Sequence, residues 1–210
     1  MQNTRSMIAI IDYGMGNAPS IANMIRKVGG HCIITPNPQD AMQAEILILP
    51  GVGAFDNAVR QLRDKGWLEV ILNHVYQSRK LIGICLGMQL LFETSQEGVL
   101  PGLGLIKGKV QRFEFDQTKI ATLKIPHMGW NTIDFTHRHY LSAGYSEQPR
   151  FYFVHSYHAV CDQGADIVAI TNYGYPFPAV VEHKNVLGVQ FHPEKSHVFG
   201  LQFFKNVLEQ

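Results

Sequence analysis

Leu81-Ile82-Gly83-Ile84-Cys85-Leu86-Gly87-Met88-Gln89 is the stretch from which the fold is read. Residues 81–84 are apolar without alternation, the mark of a strand covered on both faces, as in a parallel sheet. Glycines stand two residues either side of Cys85, and residues 88–93 read as the next helix. A buried strand handed straight to a helix at small residues points to α/β architecture. The same alternation is found upstream. Met7-Ile8-Ala9-Ile10-Ile11 is a continuous apolar run, and Ile21, Met24, Ile25 and Val28 follow at helical spacing before Gly29-Gly30. Cys32-Ile33-Ile34 and Ile46-Leu47-Ile48-Leu49 predict two more strands. Val59, Leu62, Leu68 and Ile71 mark helix, with Gly66 as a break. Right-handed crossovers connect such units. The second half carries extended signals at residues 110–115, 150–154, 167–171, 179–182 and 186–191. A terminal helix with Val198, Leu201, Phe204 and Leu208 closes the chain.

The chain has 210 residues, which predicts a single domain over residues 1–210. Hydrophobic residues are 46% and charged residues 17%, which excludes a disordered or coiled-coil chain. Eighteen Lys and Arg against seventeen Asp and Glu give a net charge of +1, so neither nucleic acid nor an anionic membrane is expected as partner. The apolar stretch at residues 81–92 is too short to span a bilayer. No secretory signal is read at the N-terminus. Met7 is a candidate natural start, with residues 1–6 as a short extension. Three cysteines, Cys32, Cys85 and Cys161, fit a reduced cytoplasmic protein better than a disulfide framework.

Gly83-Ile84-Cys85-Leu86-Gly87 is the cysteine counterpart of a Gly-x-Ser-x-Gly nucleophile elbow. A sharp strand-to-helix turn strains its central residue and tolerates only small neighbours. The side chain is then held at the sheet edge above a helix start, where the dipole favours a thiolate, and the Leu86 N–H faces a developing oxyanion. The residues equally admit an inert core cysteine between packing glycines. Downstream, Gly188-Val189-Gln190-Phe191-His192-Pro193-Glu194 ends a strand in a base candidate. Glu194 can fold back on His192 across a turn stiffened by Pro193. Cys85 and His192 would both lie at carboxyl ends of strands, where α/β sheets build sites. A surface histidine beside a carboxylate is the plainer alternative. His155-Ser156-Tyr157-His158 and His137-Arg138-His139 lack metal-ligand spacing, so no metal is expected.

In combination, Pro50-Gly51-Val52-Gly53, Gly83-Ile84-Cys85-Leu86-Gly87-Met88-Gln89 and Phe191-His192-Pro193-Glu194 resemble the class I (triad) glutamine amidotransferases. Within that class the chain is similar to the glutaminase subunits of imidazole glycerol phosphate synthase. The carriers are Ile11-Asp12-Tyr13-Gly14-Met15-Gly16-Asn17, Leu49-Pro50-Gly51-Val52-Gly53-Ala54-Phe55, Ile125-Pro126-His127-Met128-Gly129-Trp130-Asn131 and His192-Pro193-Glu194-Lys195-Ser196. The resemblance implies an open, mostly parallel α/β sheet flanked by helices, with an added β region. It implies hydrolysis of L-glutamine to glutamate and ammonia, and ammonia channelling to a (β/α)8-barrel cyclase subunit in a heterodimer. No cofactor is implied.

Residue by residue, Cys85 matches the nucleophile, His192 the acid-base group and Glu194 its orienter. Val52, Gly53 and Leu86 match oxyanion-hole positions. Gln89, Glu97, Ser156 and Tyr157 match the substrate neighbourhood, and Asn17, Trp130 and Tyr152 a partner interface. Ala18-Pro19 stands where the family usually has Leu and Arg. The stretches Arg112-Phe113-Glu114-Phe115-Asp116, residues 151–158 and Asn172-Tyr173-Gly174-Tyr175 resemble a paralogous branch that supplies ammonia for amidination of an N-acetyl sugar in surface-polysaccharide synthesis. A stand-alone γ-glutamyl thiol hydrolase and a non-catalytic interaction subunit are the readings from other classes.

Overall fold

The apolar runs of the first half become the centre of a sheet. In the computed structural model, which describes residues 7–115 and 123–210, β1 (Met7–Ile11), β3 (Ile46–Gly51) and β4 (Lys80–Cys85) are buried along almost their whole length. β2 (His31–Thr35) is more exposed, because it pairs on one side only, with β1. The expected extension at residues 1–6 lies outside the described residues, as does Asp116.

The main sheet has eight strands in the order β2-β1-β3-β4-β13-β12-β11-β8, with β8 Asp134–Phe135, β11 Ile167–Asn172, β12 Pro176–His183 and β13 Val186–Val189. The first five are parallel and the last three antiparallel. One core face packs α1 (Ala18–Lys27) and the terminal helix α5 (His197–Leu208). The other packs α2 (Phe55–Asp64), α3 (Trp67–Tyr76) and the one-turn α4 (Leu86–Gln89). Helix α1 forms where the spacing predicts. Asn17 caps it by accepting from the Ser20 amide, Arg26 and Lys27 suit its C-terminal dipole, and Ile21, Met24 and Ile25 face the sheet. Each such fully buried side chain contributes about 1.5–3 kcal/mol. Gly66, at φ +74°, separates α2 from α3.

The added β region comprises a three-stranded sheet of β10 (Tyr157–Cys161), β6 (Gly108–Arg112) and β5 (Thr94–Ser95), and a pair of β7 (His127–Thr132) and β9 (Arg150–His155). β6 ends three residues short of the predicted 110–115, and β13 two short of 186–191.

One element differs in kind. The helix expected at residues 88–93 is only Leu86–Gln89. The carbonyls of Leu90, Leu91, Phe92 and Glu93 accept instead from the amides of Leu103, Leu105, Gly104 and Gly102. A returning loop thus takes the groups that would have continued the helix, and a single turn carries far less dipole than the sequence suggested.

Gly83 and Gly87 allow this turn to lie on the sheet. A Cβ at Gly83 would sit 2.6 Å from the Gly87 carbonyl oxygen, and one at Gly87 would drive into the Leu49 carbonyl. Because both obstacles are backbone, Gly83→Ala is expected to destabilise the fold by about 1–3 kcal/mol, read as a lowered denaturation midpoint. Full stability in that variant would contradict the close approach.

Candidate active site

Cys85 sits at the β4–α4 junction with φ 55° and ψ −109°, a left-handed region that a non-glycine residue occupies only when its surroundings impose it. The strained elbow read from the sequence is therefore present. β13 lies parallel beside β4, pairing Val189 with Ile84. The chain then runs through His192 into a short turn, Pro193–Lys195. Two residues 107 apart in sequence are thus carried by adjacent strand ends.

His192 and Glu194 are both 2% exposed at their side chains, and Nδ1 of the ring is 2.7 Å from Glu194 Oε1. A carboxylate can only accept, so Nδ1 donates and Nε2 is left for proton exchange. Nε2 has no aligned hydrogen-bond partner among the described residues. The Cys85 sulfur acts on it through charge and a weak side-chain contact. Burial alone would lower the basicity of His192. The sulfur of Cys85, followed by the bond and charge of Glu194, outweighs burial, and the pKa is pushed up to about 10. The backbone of His192 is pinned on both sides. Its amide donates to the Tyr152 carbonyl at 2.9 Å, and its carbonyl accepts from Ser196 Oγ at 2.6 Å.

A cleft of about 290 Å³ opens over this pair, lined by Val52, Gly53, Cys85, Leu86, Gln89, Glu97, Pro126, Val154, His155, Ser156, Tyr157 and His192. Every oxyanion-hole and substrate position expected from the sequence is on that lining. Gly51, preceding the Val52-Gly53 loop, pairs directly with Cys85, which places the loop across from the sulfur. Tyr13 holds the loop's base, its hydroxyl donating to the Pro50 carbonyl at 2.9 Å. Glu97 is less free than expected, because Oε2 accepts from the Phe55 amide at the start of α2. Burial raises its pKa. A larger depression of about 570 Å³ runs beside β2, lined by Met7, Arg26, Cys32 and neighbours. Its lining includes His31, but the Cys32 sulfur is turned to the Ala22 carbonyl at 3.8 Å.

Asn17, Trp130 and Tyr152 lie outside the cleft. Asn17 is exposed and caps α1. Trp130 is 46% exposed, its ring stacked on His197 at 5.6 Å and edge-on to Tyr152 at 6.4 Å. Lys195 stands 5.6 Å over the Tyr152 ring. The other two cysteines are poor nucleophiles. Burial pushes the Cys161 thiol up to about 12 and raises that of Cys32.

Two groups at the site were not singled out from sequence. Gln190, fully buried, donates from Nε2 toward Cys85 Sγ at 3.8 Å. Val154 offers its carbonyl 3.9 Å from the same sulfur. The available signal was an amide inside the apolar run Val189-Gln190-Phe191, since a buried polar group needs a partner.

Comparison with known proteins gives the family. Residues 9–209 match the family described as glutamine amidotransferase class-I. The chain is 49% identical over 201 residues to imidazole glycerol phosphate synthase subunit HisH of Sulfurimonas denitrificans, covering 95% of this chain and 96% of that one. It is 47% identical to subunit HisH 2 of Methanococcus maripaludis, covering 97% and 100% of the two chains, and 48% identical to subunit HisH 2 of Pseudomonas aeruginosa, covering 97% and 99%. Among solved structures, PurLQS from Thermotoga maritima superposes with a TM-score of 0.73 at 18% identity, covering 98% and 99% of the chains, a likeness of fold. The chain belongs to the class-I glutamine amidotransferases. It is an enzyme of the glutaminase type.

The geometry separates the two partners of the nucleophile. His192→Ala removes the proton carrier and is expected to lower kcat about 10²–10⁴-fold, and Glu194→Gln less. His192 must hold its proton to hand it to the leaving group, so activity is lost as pH rises through its pKa. Glu194→Gln deletes two of the influences that raise that pKa, and the alkaline fall of the rate should move to lower pH. An unmoved alkaline limb in the pH–rate profile would contradict the coupling.

Proposed function

We propose that this chain is the glutamine-hydrolysing subunit of an imidazole glycerol phosphate synthase in histidine biosynthesis, passing ammonia to a (β/α)8-barrel cyclase in a heterodimer. The carrying observation is the strained Cys85 at the end of β4, beside the His192–Glu194 pair that follows β13. Relatives at 47–49% identity over nearly full length, bearing that subunit's name, support the pathway.

Cys85 passes its thiol proton to His192 Nε2, its sulfur attacks the side-chain amide carbon of glutamine, and the carbonyl electrons move onto oxygen. The Leu86 amide and the Val52-Gly53 loop flank that oxygen. His192 Nε2 gives its proton to the amide nitrogen, the C–N bond breaks, and ammonia leaves with a γ-glutamyl thioester on Cys85. Water then yields a proton to His192 and its oxygen attacks the thioester. The C–S bond breaks and glutamate departs. Glutamine is held over the elbow by the Gln89, Glu97, Ser156 and Tyr157 wall. Trp130, exposed and stacked on His197, and Tyr152, half-buried and bonded to the His192 amide, form the aromatic anchor of the partner face.

The stretches at residues 112–116, 151–158 and 172–175, which resemble the paralogous branch, keep the sugar-amidinating assembly as the second reading of the partner, with the glutaminase chemistry unchanged.

In the reconstituted complex, Cys85→Ala should abolish glutamine-dependent synthesis and leave synthesis from ammonium salts intact. Undiminished glutamine turnover by that variant would remove Cys85 as nucleophile. Alone, the wild-type chain should turn glutamine over slowly and speed up when its barrel partner and that partner's ligand are added. With one peptide of the Val52-Gly53 loop turned away until the partner docks, the missing oxyanion donor costs about 10²–10³ in kcat, which sets the size of the activation. Activation by a sugar-amidinating assembly and not by the histidine-pathway barrel would move the chain to the second reading.

A further inference from the structure

His127 and His155 are 3% and 6% exposed and have no place in the acid-base steps above. Phe113, Phe153 and Phe177 surround the pair, and Tyr173 stacks on His127 at 4.1 Å. Both rings are buried among aromatic side chains, although His155 also lines the cleft. A polar atom so buried needs a partner, and a bond made there is stronger than in water.

The partners fix every proton. The Tyr157 carbonyl can only accept, so His155 donates to it from Nδ1 at 2.8 Å. A neutral ring then has a bare Nε2. That atom lies 3.0 Å from His127 Nδ1, which therefore donates. Nε2 of His127 is bare in turn and accepts from Asn131 Nδ2 at 3.2 Å. The neutrality has a physical cause, since burial lowers the pKa of His127 to about 4 and that of His155 to about 3.

The order continues beyond the carbonyl. Tyr157 O also accepts from Gln89 Nε2 at 2.9 Å, and the same NH2 reaches Gln190 Oε1 at 3.2 Å. With its oxygen so engaged, the Gln190 amide presents its nitrogen to Cys85 Sγ. One backbone carbonyl thus decides which way two side-chain amides face. We propose that His127 and His155 are positioning residues, a tautomer-locked pair that holds the Tyr157 carbonyl and, through Gln89 and Gln190, keeps a donor against the nucleophile. The chain of bonds begins at Asn131, next to Trp130 on β7, so it also ties the exposed aromatic face to the sulfur. The proposal rests on Cys85 being the nucleophile.

Two measurements test it. Long-range proton–nitrogen NMR on the labelled, unaltered chain at neutral pH should show both rings as Nδ1–H tautomers, whereas free histidine is mostly the Nε2–H form. Either ring in the Nε2–H or charged form overturns the proposal. Secondly, His127→Phe keeps a ring stacked on Phe153 and Tyr173 and deletes the donor. In the assembled complex its kcat for glutamine should fall about three- to tenfold, the effect of one neutral hydrogen bond, with a smaller change in KM. His127→Asn, which restores an N–H at the Nδ1 position, should regain most of the rate. Wild-type kcat and KM in the Phe variant would leave the ring as packing alone. If that variant fails to fold, the NMR result on the native chain still decides. Failure of the nucleophile reading shows separately, as glutamine turnover by Cys85→Ala, and would remove the proposal with it.

Discussion

Backbone packed on backbone at Gly87 is the constraint on which the site depends. A side chain there would meet the Leu49 carbonyl, one at Gly83 the Gly87 carbonyl, and one at Gly51 the Gly87 amide. Three segments therefore lock together with nothing between them. Cys85 has no relaxed conformation in that lock and takes φ 55°, at a cost of order 1–3 kcal/mol. Burial of Ile82, Ile84, Leu86 and Met88 on the two sides of the turn offsets it. The same lock draws the end of β3, and with it Val52 and Gly53, across from the sulfur.

The acid-base half is held by different means. His192 is fixed through its own backbone, between the Tyr152 carbonyl and the Ser196 hydroxyl, and Ser196 is wholly buried. Ser196 Oγ also accepts from the Tyr152 amide. One hydroxyl thus ties β9 to the turn that carries Glu194. Rigid elements hold catalytic groups more closely than loops do. Here the base stands just outside a strand, and hydrogen bonds supply the missing rigidity.

The parallel strands were legible because a strand buried on both faces leaves a continuous apolar run, as in residues 7–11 and 46–49. β7 and β10 were not, since His-Met-Gly-Trp-Asn and Tyr-His-Ala-Val-Cys mix polar, aromatic and small residues. The run Leu90-Leu91-Phe92 imitated a helix. Its carbonyls are claimed by a loop a dozen residues on, a competition that no local periodicity reports. Cys85, His192 and Glu194 were legible because glycines and a proline frame them. Gln190 and His155 were not, since a buried polar residue acquires meaning only from its partners. Gln190 lies 101 residues from Gln89.

The order of strands has a consequence in time. β4, with its cysteine, is made early, whereas β13 enters the sheet as the hairpin partner of β12 and reaches β4 only through a contact between distant parts of the chain. Contacts so far apart in sequence close late in folding, and on the ribosome the N-terminal part emerges first. An unfinished chain therefore carries the thiol with no imidazole beside it. The parallel sheet doubles as a clock: the reactive sulfur meets its base only after β13 and the turn beyond it have been synthesised.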